Sequence, residues 1–449
     1  MTWKKILGTT LCLGALVSPA HAQTGREVLP LPPPAFKGTI GETVTDSTPD
    51  PDLFEPVRPP QGAPNVFVMM SDDVGFAMSS AFGGPVATPN FEKLAQRGQR
   101  YNRFHTTAIC SPSRAALLTG RNPHNTGSGY LTDAITGYPG YQGRISAETA
   151  TIAQTLRLNG YNTAMFGKHH NVPYAHTTAN GPFDQWPTGL GFEYFFGYLG
   201  PETDQFRPNL YRGTSLLPND DSMQLLDARL ADDAIRWIHN QQALGNGQPF
   251  FIYFAPSSTH APHQAPPELI ASFKGRFDDG WDKLRESIWR RQLELGIIPP
   301  GTQLTPRPDD IPAWDSLSAE EQAVAARAME VAAAMLAYQD QQVGRVLDEI
   351  ERMGLLNNTL TMLILGDNGA SADSGIHGYF NRLTQTNRLG EGIDPELMAQ
   401  LGGPNSYGNY PAGWAWAMNT PLRWTKQYAS MLGGIRNGMI VAWPERMKP

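Results

Sequence analysis

The stretch NVFVMMSDDVG, residues 65–75, decides the fold. Five apolar residues at 66–70 run on without polar alternation, and the run ends just before Asp72 and Asp73. A short apolar run of this kind predicts a strand that is covered on both faces, as in a parallel sheet. In such sheets, ligands bind beyond the carboxyl ends of the strands, which is where this run places its two aspartates.

The same pattern recurs along the chain. Further apolar runs lie at 161–166, 249–254, 361–365 and 439–443, and each is followed by polar residues or proline. Helical patterns lie between the runs, and they cover 90–99, 149–159, 225–242 and 318–352. The alternation predicts an α/β fold with a mostly parallel central sheet and helices on both faces.

The two ends of the chain differ from this middle part. Residues 1–22 combine a short basic start, an apolar run and an Ala-His-Ala end, which predicts a signal peptide and export to a periplasm or out of the cell. No other apolar run is long enough to predict a membrane span. Residues 23–62 are rich in proline and predict an extended lead-in, and 63–449 are expected to form the catalytic domain.

Charge and cysteine content exclude several classes of protein. The chain has 35 basic and 42 acidic residues, a formal net charge of −7, which argues against nucleic-acid binding. Removal of the signal peptide would leave Cys110 as the single cysteine, so no internal disulfide can form. A lone cysteine in an oxidising compartment is buried and inert, reactive, or no longer a thiol.

Two pairs of oxygen donors follow predicted strands. Asp72 and Asp73 follow the first strand, and Asp367 and Asn368 follow the fourth. Each pair alone is typical of a turn or a helix cap. Because both pairs follow apolar strands, together they favour a site for a hard divalent cation such as calcium or magnesium.

Cationic side chains follow the other strands. Lys168 and His170 come after the second strand, His260 comes after the third, and Lys426 precedes the fifth. Each alone is typical of a surface lysine or a structural histidine. Their convergence beside a metal would indicate an anionic substrate and an acid–base partner. Two further histidines are given supporting roles, His169 and His263.

Cys110 is predicted to open a helix. Ser111 and Pro112 suit the first helical positions, and Gly120 suits the end. At a helix N-terminus, backbone N–H groups and the helix dipole favour an anion, and they are expected to lower the pKa of the thiol.

The segment CSPSR at 110–114, continued as AALLTGR, resembles the signature of the type I sulfatases of the alkaline phosphatase superfamily. Four further segments match the family in order: MSDDVG, FGKHH, HAPH and LGDNGAS. The resemblance spans roughly residues 63–445 and is similar in detail to the large bacterial arylsulfatase subgroup. It implies an alkaline phosphatase-like fold, a small-molecule sulfate ester as substrate, and a maturation enzyme that oxidises the cysteine to formylglycine.

The resemblance also implies roles for individual residues. Lys168 and Lys426 would hold sulfate oxygens, and Arg114 would orient the formylglycine hydrate, which is the nucleophile. His260, assisted by Lys426, would protonate the leaving oxygen, and His170 would take the proton from the remaining hydroxyl. Calcium, in preference to magnesium, would be bound by Asp72, Asp73, Asp367, Asn368 and an oxygen of the modified Cys110.

The chain departs from the family pattern in three places. Met431 and Leu432 stand before Gly433, where the family often has His or Glu, and the segment after LGDNGAS differs and is expected to line the pocket. The sequence stops at WPERMKP, so we expect the family's smaller C-terminal subdomain to be missing. Specificity is expected to depend on 371–420 and on 262–316, a predicted surface insertion bordering the site.

Two other functions remain open at this stage. A phosphate-ester hydrolase of the same superfamily would usually have Ser or Thr as nucleophile and two zinc ions. A non-catalytic exported protein that binds anions or calcium would keep Cys110 as a thiol.

Overall fold

The structure is a computed structural model that describes residues 35–53, 57–218, 222–243, 245, 247–257, 259–383 and 393–448. The chain divides into two compact units, Met1–Pro56 and Val57–Pro449. The described part of the first unit contains two short turns, Val44–Asp46 and Pro51–Leu53, and its residues are mostly exposed. The predicted signal peptide, 1–22, lies outside the described residues.

The second unit is built on one nine-stranded sheet within the described residues, in the order β2-β9-β8-β1-β7-β3-β4-β5-β6. The strands are β1 Asn65–Met70, β2 Gln99–His105, β3 Asn162–Lys168, β4 Tyr194–Tyr198, β5 Tyr211–Arg212, β6 Ser215–Leu216, β7 Phe250–Ala255, β8 Thr359–Leu365 and β9 Arg436–Ala442. The five central strands, β8-β1-β7-β3-β4, pair in parallel. The predicted mostly parallel α/β sheet is therefore confirmed.

Helices cover both faces of the sheet, as predicted. They are α1 Pro89–Ala95, α2 Cys110–Thr119, α3 Ile152–Leu158, α4 Leu226–Ala243, α5 Pro267–Ser272, α6 Gly280–Glu294, α7 Ala319–Arg352, α8 Ala412–Met418 and α9 Leu432–Ile435. Alternate residues of β1 enter opposite cores: Phe67 and Met69 pack in the core that contains α4 and α7, whereas Val66 and Val68 share the other with α2 and α3. Among the described helices, none has the length and apolar character to cross a bilayer.

Two helix boundaries follow from local chemistry that the sequence displays. Ser318 and Glu321 form the expected capping box at the start of α7. Thr151 and Gln154 form a second box that starts α3, and Gly160 follows its end with a positive φ of 83°. The predicted helix at 90–99 is shorter than expected, because the chain enters β2 at Gln99.

The sequence did not predict β2, β4, β5 and β6, and it left the direction of β9 open. The fifth predicted strand, β9, runs antiparallel to its neighbours β8 and β2. The edge strand β2 has the sequence QRYNRFH, and its side chains are largely exposed. A polar edge strand lacks the apolar run used to find the others, since it is not covered on both faces.

The segment 262–316 lies largely at the surface, as predicted, but part of it is anchored in the core. It folds into α5 and α6, and Trp281 and Arg285 of α6 are fully buried. The Arg285 guanidinium donates to the carbonyl oxygens of Trp416 and Leu422 at 2.7 and 2.9 Å. The segment thus holds residues 416–422, which precede Lys426 in the chain.

Candidate active site

The predicted polar clusters meet at one edge of the sheet. Asp72 follows β1, Asp367 follows β8, His260 follows β7, and Lys168 is the last residue of β3. These four strands are consecutive in the order β8-β1-β7-β3, so their carboxyl ends lie side by side. All four side chains are buried.

Cys110 is the first residue of α2, as predicted, and Gly120 ends the helix in the left-handed conformation. Its buried Sγ lies 3.2 Å from Nδ1 of His170. Burial raises the pKa of the thiol to about 11, although Lys168 and Lys426 oppose the rise. The expected lowering of this pKa was wrong, because desolvation outweighs the charges of the two lysines.

Arg114 lies one turn further along α2 and connects three elements. Its Nε donates to Oδ2 of Asp367 at 2.9 Å, and its Nη1 donates to the backbone oxygen of Lys168 at 3.1 Å. Its Nη2 lies 3.6 Å from Oδ1 of Asp72. The guanidinium is fully buried, and neighbouring carboxylates keep its pKa raised despite the burial.

Two buried lysines pair with the carboxylates of the site. Lys168 Nζ lies 2.6 Å from Oδ2 of Asp72. Lys426 Nζ lies 2.9 Å from Oδ1 of Asp73 and 3.4 Å from Oδ2 of Asp373. Asp373, which sequence reasoning did not single out, is thus the second carboxylate in contact with Lys426.

The histidines divide into two groups. Burial, followed by the charges of Lys168 and Arg114, lowers the pKa of His170 well below its ordinary value, so His170 is neutral near pH 7. His260 Nε2 lies 3.7 Å from Oδ2 of Asp73. His169 and His263 instead bond to the backbone oxygens of Gln185 and Thr259 at 2.9 and 3.0 Å, which agrees with supporting roles.

The acidic residues have the donor chemistry of a cation site. Ligand atoms of Asp72, Asp73 and His260 lie within 4.8 Å of one another. The amide of Asn368 donates to Asp73 at 2.7 Å, and Asp367 Oδ1 accepts from the backbone N–H of Asp73 at 3.3 Å. Asp72 Oδ1 and Asn368 Oδ1 are buried and lack a hydrogen-bond partner among the described residues. Buried oxygens of this kind fit a hard cation such as calcium.

The backbone around the site is strained. Six non-glycine residues of the described ranges have positive φ, and four of them are in or next to the site: Asp73 at 57°, His170 at 53°, Thr259 at 98° and Gln427 at 76°. Such conformations persist only where the surrounding structure enforces them, and they cluster at functional sites. The hydroxyl of Thr259 donates to the backbone oxygen of Asp72, which ties the β7 loop to the β1 loop.

A cavity of about 510 Å³ opens onto this cluster. Its wall includes Cys110, His170, His260 and Lys426, which places the predicted nucleophile position at the same cavity as the predicted acid–base groups. The segment after LGDNGAS contributes to the wall, as expected, and these residues belong to it: Ala372, Asp373, Gly375 and Arg382.

The two residues that depart from the family pattern do not line this cavity. Met431 and Leu432 line a second cavity of about 500 Å³, together with the segment 298–305. The segment 262–316 therefore borders this second cavity, not the one at Cys110, which corrects the expectation that it flanks the site.

Comparisons with known proteins agree with this geometry. The family model described as Sulfatase matches residues 64–449. An uncharacterised sulfatase of Schizosaccharomyces pombe is 32% identical over 412 residues, covering 86% of this chain and 71% of the relative. The arylsulfatase of Klebsiella aerogenes is 31% identical over 402 residues, covering 86% of this chain and 82% of the relative.

A solved structure supports the fold. A candidate sulfatase from Bacteroides fragilis superimposes with a TM-score of 0.58 at 19% identity, covering 88% of this chain and 71% of that one. The fold and the site define an α/β enzyme whose polar site lies at the carboxyl edge of a mostly parallel sheet. Within that class, the chain belongs to the sulfatase family, and it is a sulfuric ester hydrolase.

Proposed function

We propose that this enzyme hydrolyses aryl-type sulfate monoesters with a formylglycine made from Cys110 and a calcium ion. The observation that carries the proposal is the position of Cys110. It starts a helix at the wall of the cavity, 3.2 Å from a neutral histidine and close enough to Lys168 and Lys426 for their charges to act on its pKa. A sulfate ester placed there meets a helix N-terminus and two buried cations.

The modified residue would supply a hydrated aldehyde as nucleophile, and calcium would supply fixed positive charge beside it. Lys168 and Lys426 would hold the sulfate oxygens, because their ammonium groups are already fixed by Asp72 and Asp73. Charges that are fixed before the reaction need little reorganisation as negative charge develops.

Two histidines would carry out the proton transfers: His170 would accept a proton and His260 would donate one. His170 is neutral and contacts the Cys110 side chain, so it is the group that can accept a proton from a hydroxyl carried there. His260 lies in the cavity wall beside Asp73, where it can protonate the leaving oxygen. Arg114 orients the modified side chain from within the same helix.

Calcium would be held by the oxygens of Asp72, Asp73, Asp367 and Asn368, with an oxygen of the modified Cys110. The buried Oδ1 atoms of Asp72 and Asn368, which lack a hydrogen-bond partner among the described residues, support this ligand set. Calcium suits such a set better than magnesium, which keeps more of its water and demands a tighter octahedron.

The proposal extends to the setting of the enzyme. Residues 1–22 would act as a signal peptide for export to the periplasm or the medium, 23–62 would form a lead-in, and 63–449 would form the catalytic domain. A formylglycine-generating enzyme would act on the segment CSPSR before or during export.

Mass spectrometry tests the central claim. We expect the tryptic peptide that contains Cys110 to carry an aldehyde when the protein is co-produced with a formylglycine-generating enzyme, and a thiol when it is not. Turnover of 4-nitrophenyl sulfate should follow the aldehyde fraction. Full activity of the thiol form, or of Cys110→Ala, would refute the proposal.

The same preparation tests the alternative function, that of a phosphate-ester hydrolase of the same superfamily. We expect 4-nitrophenyl phosphate to be turned over far more slowly than the sulfate. The opposite preference would favour the phosphatase alternative.

A further inference from the structure

We propose that Asp373 and Tyr428 form a subsite for the leaving group. This subsite selects sulfate esters of uncharged, ring-bearing alcohols or phenols over esters that carry a second anionic group. The inference rests on the proposed function, since it names the substrate class of the same cavity.

The carboxylate of Asp373 faces the cavity. Its Oδ2 lies 3.4 Å from Lys426 Nζ, and its Oδ1 accepts from Gln427 Nε2 at 2.6 Å. Its side chain is 31% exposed and the residue lines the cavity, so a bound molecule can reach this side chain. Although burial opposes ionisation, Lys426 keeps the pKa of Asp373 below its ordinary value, so the group is negative at neutral pH.

The remaining charges of the outer wall have the same sign or are paired. Asp133 is exposed and lines the cavity. Arg382, which lines the cavity as Lys426 does, forms an ion pair with Glu202. A leaving group with its own carboxylate or sulfate would therefore meet like charge at Asp373 and Asp133, which is the repulsive element that specificity often requires.

Tyr428 forms the aromatic part of the cavity wall, and the ring of Trp424 holds it in place. Tyr428 lines the cavity, and its ring stacks on Trp424 with centroids 4.7 Å apart and an angle of 24°. Trp424 has a positive φ of 63°, as has Gln427 at 76°, so the loop that carries both rings has an enforced conformation. A ring fixed in this way offers a flat apolar face at low entropic cost.

The two features together describe one ligand. The ring of the leaving group would lie against Tyr428, and a neutral donor such as a hydroxyl or an amide would reach the Asp373 carboxylate. A substrate of this kind leaves Lys426 to the sulfate, because it offers no second anion to compete for the ammonium.

An isosteric substrate pair tests the selection. The sulfate esters of 4-hydroxybenzamide and 4-hydroxybenzoate differ in a neutral amide against a carboxylate of nearly equal size. We expect kcat/KM of the wild-type enzyme to favour the amide by about tenfold or more. In Asp373→Asn this ratio should fall at least about fivefold, whatever happens to the absolute rate.

Three controls keep the test specific. Asp348→Asn removes an aspartate that pairs with Lys93 on the surface and should leave the ratio unchanged. Tyr428→Ala should lower kcat/KM for both esters about equally. Since salt screens exposed charge, raising the ionic strength should also shrink the wild-type ratio, which tests the idea even where Asp373→Asn folds poorly.

The outcomes separate the two proposals. If the wild-type enzyme carries formylglycine and still hydrolyses no sulfate ester, the proposed function is refuted. Normal hydrolysis with a ratio near one, or a ratio that neither Asp373→Asn nor salt alters, would refute the subsite alone. A preference for the carboxylate ester would mean that Arg382 exchanges Glu202 for the substrate, and it too would refute the subsite.

Discussion

Arg114 and Asp367 form a buried ion pair that joins α2 to the end of β8. Both Nε and Nη2 of the arginine contact the same carboxylate oxygen, at 2.9 and 2.7 Å, and both side chains are fully buried. Arg114 is one helical turn from Cys110, and Asp367 precedes Asn368. The pair therefore fixes the position of the proposed nucleophile relative to the proposed metal ligands.

Removal of the arginine should uncouple these two parts. In Arg114→Met, Asp367 loses its counter-charge in a buried site, and we expect the free energy of unfolding to fall by about 3–5 kcal/mol. Chemical denaturation measures this loss, and kcat should fall with it. Arg144→Met is the matched control, because Arg144 pairs with Asp184 at the surface, where such a pair contributes about 1 kcal/mol or less. Equal losses in the two variants would contradict the role given to Arg114.

Calcium should stabilise the protein as well as support turnover. Asp72, Asp73 and Asp367 lie together, and Asp72 raises the pKa of Asp367 in addition to burial, so a bound cation relieves this repulsion. At free calcium one hundred times Kd, we expect about 2.7 kcal/mol of added stability.

Thermal denaturation with calcium, magnesium or a chelator measures the effect. Chelation should lower both Tm and activity, and calcium should restore both more fully than magnesium. Asp73→Asn should weaken calcium binding measured by calorimetry. A Tm that is insensitive to calcium in wild type would argue against the ligand set.

The sequence was most informative about the centre of the sheet. β1, β3, β7 and β8 are buried on both faces, so each appears as an apolar run followed by polar residues. β2 is an exposed edge strand with polar residues, and α6 buries one face, which includes Trp281 and Arg285, although its surface-like sequence contains eight charged or amide side chains. Tertiary packing decides which residues of those two elements are buried, and the local sequence pattern carries no information about that packing.

The unconverted thiol should be slow to react. Burial raises the pKa of Cys110 to about 11, so only about one molecule in a thousand carries the thiolate at pH 8. In calcium-free protein made without the maturation enzyme, alkylation by iodoacetamide should accelerate about tenfold per pH unit between pH 8 and pH 10. Intact-mass measurements follow the reaction, and Cys110→Ala gives the background. Rapid alkylation at pH 7 would show instead that the helix terminus governs this thiol.

His170 should set the acid limit of turnover at low pH. Its neutral form is the proposed proton acceptor, and burial with the nearby lysine and arginine charges lowers its pKa well below 6.5. The loss of kcat that belongs to His170 should therefore occur only below pH 6.5, as the pH falls through the lowered pKa.

The variant His170→Asn tests this assignment. It should lower kcat by about 10²–10⁴-fold, the range for loss of a general base, and it should remove this acid limb. His169→Asn is a useful comparison, because His169 bonds to the backbone oxygen of Gln185 and does not line the cavity. An equal loss of kcat in both variants, with the acid limb retained, would mean that His170 is structural.

Contacts within the site were less accessible from the sequence than its residue types. The motifs identified the clusters at the ends of β1, β3, β7 and β8, but Asp373 gained its importance only through its contact with Lys426. These two residues are 53 positions apart, on loops of different strands. Likewise, the effect of burial on the Cys110 pKa depends on packing around the helix, which residue order does not reveal.

Close backbone contact at Gly369 provides the last prediction. A Cβ atom at this position would lie 1.7 Å from the backbone oxygen of Gly433, and the Gly369 N–H donates to Gly434 at 3.0 Å. Gly369→Ala must therefore separate the Asn368 loop from α9, the short helix that follows the segment with Lys426. Because backbone cannot move aside as a flexible side chain can, we expect a loss of about 3 kcal/mol or more in stability, together with weaker calcium binding. Gly137→Ala is the control, since a Cβ there meets no atom within 4 Å, and it should change stability by less than about 0.5 kcal/mol. Wild-type calcium affinity in Gly369→Ala would show that the Asn368 loop and α9 can move apart without disturbing the ligands, and that the close contact serves folding alone.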